Sequence, residues 1–186
     1  MSDPDAPAVT RKPRADAERN RARLLDAAKT VFAEKGSSAR LDEIARAAGV
    51  GIGTLYRCFP TRDALVEAVY RNESEQLFAA AVRLSERQPP VAALRAWLLL
   101  FLDYLAVKQG MAEALRSMAA GGPELRAASG DRLKEGLAML VDRAVASGDI
   151  RLDIDPLDLL RALAAPLSKE AARRLVDIVI AGVRRR

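Results

Sequence analysis

The stretch GVGIGTLYRCFPTRDALVEA, Gly49 to Ala68, sets three glycines at alternate positions and stops at Phe59-Pro60. Gly49 suits the left-handed residue that ends a helix, so the chain can reverse within three or four residues. A helix beginning near Gly51 turns 100° per residue, which places Ile52, Leu55, Tyr56 and Phe59 on an inner side and Gly53, Thr54, Arg57 and Cys58 outward. Glycine on an exposed helix face costs about 1 kcal/mol relative to alanine. Its use fits a surface that another body must approach closely. A short helix, a tight turn and a second helix form a helix-turn-helix, the element that enters a DNA major groove. The G-x-G-x-G spacing also resembles a dinucleotide loop, but that loop follows a strand, and here a helix precedes it.

Upstream, Leu24, Ala28, Val31 and Phe32 recur at three- and four-residue spacing, which predicts a helix from about Asp16 to a stop at Gly36. "RLDEIARAAG" then aligns Leu41, Ile44, Ala45 and Ala48, with Asp42 and Glu43 beside the positive end of the helix dipole. Residues 1–15 are proline-punctuated and aperiodic, and are expected to form a mobile basic arm. Arg11, Lys12 and Arg14, with Arg19, Arg21 and Arg23 behind them, suit a tether across phosphates or into a minor groove.

Composition excludes more than it selects. The 186 residues are half hydrophobic and 30 % charged, with one cysteine and no histidine. An internal disulfide, an ordinary zinc site and every histidine-dependent triad are therefore ruled out, and no phosphate loop or nucleophile elbow occurs. No enzyme activity, metal or cofactor is expected. The opening residues lack a secretory core, and Asp103 interrupts the most apolar run, so a cytoplasmic chain without a membrane span is expected. The net charge of +5 suits an anionic partner, though it is spread over both halves, 13 basic against 10 acidic side chains in 1–72 and 17 against 15 in 73–186.

The run from Arg21 to Val69, with its "LLDAAKTVFAEKG", "LDEIARAAGV" and "GTLYRCFPTRDAL" segments in order, resembles the N-terminal domain of TetR-family transcriptional regulators. The resemblance implies a homodimer whose recognition helices enter successive major grooves of a palindromic operator. Repression is then relieved by a small molecule in the C-terminal domain. Residue by residue, it implies that Gly53 and Thr54 meet bases, and that Tyr56 reaches a phosphate while its ring packs inward. Arg57 and Cys58 are outward positions able to touch DNA. Thr61 caps the following helix, where Arg62 holds a phosphate. Arg40 stands where many relatives have Ser or Thr; it can supply a phosphate contact but no cap, so Ser38 is expected to cap instead. Many relatives carry "YRHF" where this chain reads "YRCF".

The expected fold is all-α: a helix-turn-helix domain over residues 16–60, then a helical regulatory and dimerisation domain over 61–186. A long helix should run from Thr61 to about Ser85 and break at Pro89-Pro90. An apolar helix to Gly110 and a short Met111 to Met118 segment follow, then a loop at "AAGGP" and a helix from about Glu124 to Ser147. Asp155 and Pro156 should start a helix to Leu167, and the last helix should span Lys169 to Arg185. Trp97, Phe101, Tyr104 and Met111, with Leu115, Met118 and Met139, are candidate walls of a pocket for an apolar or amphipathic ligand. Leu160, Leu163 and Leu167 on one helix, with Leu175, Val176, Val179, Ile180 and Val183 on the other, are a candidate dimer seam, and the same residues also serve as ordinary core. The alternative function is a helical regulator or interaction protein controlled by a protein partner, without a small-molecule ligand.

Overall fold

A computed structural model describes residues 11–118, 122–165 and 167–184, the side chains of 11–14 and 122 excepted. Among the described residues there are nine α-helices, one 3-10 turn and no strand, only a single bridge between Ile150 and Arg184. Three helices make the N-terminal part: α1 (Arg11–Lys35), α2 (Leu41–Ala47) and α3 (Ile52–Cys58). α4 (Arg62–Arg87) leads into α5 (Pro90–Gly110), α6 (Ala112–Ser117), α7 (Gly122–Ala146), α8 (Pro156–Leu163) and α9 (Lys169–Val183).

Helix α1 begins at Arg11, five residues inside the expected arm. Pro13 falls in the first turn, where a missing N–H breaks no intrahelical bond, so proline does not stop the helix there. The arm from 1 to 10 lies outside the described residues, as do the side chains of Arg11 and Arg14 and most of the "AAGGP" loop. α8 is shorter than expected and ends at Leu163 with Ala164 as its C-cap, and the proline three residues on in the sequence disfavours helical backbone in the residue before it.

The core is continuous from α1 to α9. Leu24, Ala28 and Phe32 of α1 join Ile44, Ala45, Leu55 and Phe59 from the two short helices, and α4 carries this cluster on through Leu65, Val66 and Val69. Helices of seven residues cannot persist alone in water, so α2 and α3 exist because this apolar contact holds them. α5 is long and apolar enough to cross a membrane by length and composition alone, a property that core helices of folded domains share. It serves instead as the central helix, packed against α1, α4, α7 and α9.

Within that centre Trp97, Phe101 and Tyr104 stack at 6.0 Å steps, and Tyr70 meets Tyr104 at 6.1 Å. The buried Trp97 Nε1 donates to the Leu77 carbonyl at 2.8 Å, tying α5 to α4. Trp97→Phe should lower the unfolding free energy by about 2 kcal/mol, through a lost hydrogen bond and a partly emptied site. Urea denaturation measures this, and a loss within error would mean that the bond contributes nothing.

Candidate nucleic-acid interface

Gly49 sits at φ +62° and makes the turn between α2 and α3. Both short helices are closed from outside by arginines of α1. Arg23 donates to the Gly49 carbonyl at 2.9 Å, and Arg21 reaches the Cys58 carbonyl at 3.4 Å with its guanidinium 4.5 Å over the Phe59 ring. Carbonyls left over at helix C-termini attract such cations. Arg21 and Arg23, expected to bind phosphates, therefore act here on the backbone of the helix-turn-helix.

At the N-terminus of α2, Arg40 occupies the cap position in extended conformation, with no side-chain acceptor to offer. Its N–H donates to the Glu43 carboxylate at 3.3 Å, and its Nε donates to Asp42 at 3.0 Å. The Ser38 hydroxyl donates to the Lys35 carbonyl at 2.7 Å, so it closes α1 and does not cap α2 as expected. The Arg40 guanidinium holds the Asp42 carboxyl below its usual range. Lys35, then the Arg40 N–H, do the same for Glu43. Both folded values lie below the unfolded ones, so these contributions are present at neutral pH and are lost only as pH falls through the lowered values.

The expected face of α3 needs correction. Leu55 and Phe59 are buried, but Ile52 and Tyr56 are 43 % and 49 % exposed. α3 touches the core along one narrow edge, so only one row of its inner side is covered. The Tyr56 ring therefore does not pack inward. Cys58, expected outward, is half-buried against the core, beside a cleft of 540 Å³ that Arg21, Leu25 and Phe59 also line. Gly51 and Gly53 have open space where a Cβ would stand, so the backbone is bare as the glycine pattern suggested. Arg57 is exposed and donates to Thr54 Oγ1 at 3.0 Å.

Thr61 caps α4, accepting from the Ala64 N–H at 3.0 Å. Arg62 is half-buried: it donates to the Ala39 carbonyl at 2.5 Å and the Ser37 carbonyl at 3.3 Å, with its guanidinium 5.4 Å from the Phe32 ring. Expected to grip a phosphate, it instead clasps the α1–α2 turn to α4. Gly53, Tyr56 and Arg57 are exposed on α3 with the half-buried Thr54 bonded to Arg57, and Arg40 is exposed at the start of α2.

Elsewhere the candidate pocket residues do not gather round one of the clefts seen among the described residues. Trp97, Phe101 and Leu115 are buried core, and Met118 and Met139 are half-buried. Tyr104 borders a 190 Å³ cleft with Lys29 and Glu73, and Met111 a separate 240 Å³ cleft beside Arg62. Burial pushes the Tyr104 phenol well above its ordinary value. A larger cleft of 480 Å³ lies between α4 and α7, lined by Glu67, Arg71, Glu75, Glu124, Ser129 and Arg132. Among the seam residues, Leu160, Leu163, Val176 and Ile180 are buried within the chain, and Leu175, Val179 and Val183 are half-buried. Leu167 and Ile178 are exposed at 44 % and 67 %. The last helices pack mainly on α5 and α7, so most of that stripe is spent on the chain's own core.

Sequence reading missed the buried Glu73, which pairs with Lys29 of α1 at 2.7 Å, and the Ser74 to Ser129 hydrogen bond at 3.3 Å. A charge and two hydroxyls in long amphipathic helices look like solvated positions until the partner helix is known.

Comparison with known proteins agrees with this geometry. Residues 24–69 match the family model "Bacterial regulatory proteins, tetR family", and residues 89–185 match "Transcriptional regulator SbtR-like, C-terminal domain". The HTH-type transcriptional repressor Rv1474c of Mycobacterium tuberculosis is 31 % identical over 178 residues, covering 89 % of this chain and 93 % of that protein. The repressor LfrR of Mycolicibacterium smegmatis is 43 % identical, but over only 79 residues, 42 % of this chain and 41 % of LfrR. The chain thus spans well under half the length of this curated relative in that match. Among solved structures, the TetR regulator SCO0520 of Streptomyces coelicolor superposes with a TM-score of 0.79 at 44 % identity, covering 88 % of this chain and 98 % of that one. LfrR from Mycobacterium smegmatis in complex with proflavine gives 0.65 at 28 %, covering 88 % and 95 %. With a helix-turn-helix whose second helix is bare on its open side, and with both halves matched, the chain belongs to the TetR family of bacterial transcriptional regulators.

Proposed function

We propose that this regulator is a homodimeric repressor that holds a palindromic operator through two copies of α3 and releases it when a small molecule binds the helical domain. The observation that carries the reading is the open side of α3. There, bare backbone at Gly51 and Gly53 stands beside Tyr56 and the Thr54–Arg57 pair, and Arg40 is exposed at the start of α2. A major groove accepts such a helix, and cations at its flanks position it on phosphates.

Dimerisation is assigned to the outer row of α9, around Ile178, with Leu167 and the half-buried Leu175, Val179 and Val183 at its margin. A contiguous apolar surface of this kind is ordinarily covered. For the ligand, the 480 Å³ cleft between α4 and α7 has the size of a small-molecule site; Arg71 and Arg132 in its wall pair with Glu67 and Glu75, so Glu124 leaves it one net negative charge, which favours an amphipathic occupant with at most a single positive charge over an anionic one. LfrR binds proflavine, which supports the same class. Binding can release the operator only through unequal affinity for the DNA-bound and free arrangements.

Footprinting of the DNA upstream of the chain's own gene tests the reading, followed by titration with proflavine. Palindromic protection that fades as proflavine is added is expected. Protection that proflavine leaves unchanged contradicts the assigned ligand class, and protection no sharper than on random DNA contradicts the operator.

A further inference from the structure

We infer that Ile52 reads a thymine in each half-site, seating its side chain against the C5-methyl group in the major groove. The inference rests on the DNA-binding reading and names what one side chain of that surface recognises.

Ile52 is 43 % exposed, although its spacing from Leu55 and Phe59 invites burial. Leu55 and Phe59, one turn apart, occupy the inner row completely. Ile52 and Tyr56, also one turn apart, form the next row round the helix and look outward. On both sides of Ile52 the chain carries glycine, with nothing within 4 Å of either missing Cβ. Ile52 is therefore the one projecting side chain between two stretches of bare backbone. Whatever approaches that backbone closely meets the isoleucine first.

The polar side chains of the same face, Thr54, Tyr56 and Arg57, suit phosphates and base donors or acceptors, Arg57 spending one N–H on Thr54 Oγ1 at 3.0 Å, whereas Ile52 offers only hydrocarbon. A branched hydrocarbon pressed against base edges that offer only donors and acceptors would strip water from them without replacing its hydrogen bonds. The major groove has one apolar feature, the thymine C5-methyl group, and contact with it discriminates A·T from T·A and from both G·C orientations. The minor groove lacks it. An exposed isoleucine here is thus chemically matched to one base.

The test uses the intact protein on its footprinted operator, with each thymine of the half-sites replaced in turn by deoxyuridine, which removes the methyl group and nothing else. One symmetric pair of replacements should weaken wild-type binding by roughly fourfold per half-site, about fifteenfold together, the effect of one buried carbon at each site. Ile52→Ala should bind the thymine operator with a comparable loss and be indifferent to the same replacement. Because Ile52 is outside the core, the variant should keep the wild-type unfolding midpoint, which separates lost contact from lost fold. Specific operator binding that no deoxyuridine replacement weakens, or a replacement that weakens wild type and Ile52→Ala equally, overturns the assignment while leaving the operator reading intact. Equal affinity for operator and random duplex removes both.

Discussion

Replacing Gly110 by alanine should lower the unfolding free energy by about 3 kcal/mol or more, the upper range for overpacking by a single methyl group. Gly110 closes α5 directly against the last turns of α1. A Cβ there would stand 1.9 Å from the Phe32 carbonyl oxygen and 2.6 Å from its carbon. Both are backbone atoms, so no rotamer change relieves the clash and one helix must move. Gly130 provides the control: it lies within α7 with nothing within 4 Å of its missing Cβ, so Gly130→Ala should be neutral or stabilising by about 0.5–1 kcal/mol. Urea denaturation of the two variants measures the contrast. Equal stabilities would show that α1 and α5 are not in backbone contact. Because α1 also carries Arg21 and Arg23, which close α2 and α3, any surviving Gly110→Ala protein should bind operator more weakly as well.

Arg62→Ala should weaken operator binding at least tenfold without changing its salt dependence. The side chain spends its fork on the Ser37 and Ala39 carbonyls, and losing charge-assisted bonds of this kind costs about 2 kcal/mol. The loss loosens the α1–α2 turn and with it the placement of α3. Lysine should not restore binding, since one ammonium cannot reproduce a planar fork across two carbonyls. A phosphate ligand behaves differently. Its removal lowers the slope of log affinity against log salt by roughly one, and lysine substitutes well at a point charge. Binding titrations of both variants at several salt concentrations therefore decide between clasp and phosphate contact.

Much of this architecture was legible because helix boundaries are local chemistry. Gly49 in the left-handed region, Pro89-Pro90 between α4 and α5, Thr61 as cap and Asp155 before Pro156 each act within a few residues. The inner rows of α1 and α2 followed from spacing alone. What sequence did not disclose depends on contacts between helices. A 100° wheel cannot say how wide a buried stripe is, so it puts Ile52 and Tyr56 inside by the same rule that puts the buried Leu55 and Phe59 there. Basic residues near a helix-turn-helix invite assignment to phosphates, yet Arg21, Arg23 and Arg62 answer to carbonyls 23 to 37 residues away. Aromatic and methionine side chains suggested a pocket, but Trp97 and Phe101 are filled core because α4 and α7 close over α5. Pro13 misled in the opposite direction, since proline interrupts a helix only beyond its first turn.

The central claim is that two copies of α3 read one palindrome. Its most direct measurement is sedimentation of the purified chain with a fluorescent duplex carrying the footprinted site, compared with duplexes in which one or both half-sites are scrambled, at two salt concentrations. The account predicts two chains on the intact palindrome, a large loss of affinity when either half is scrambled, and affinity that falls steeply with salt. One chain per duplex, or equal affinity for intact and scrambled sites, would contradict it.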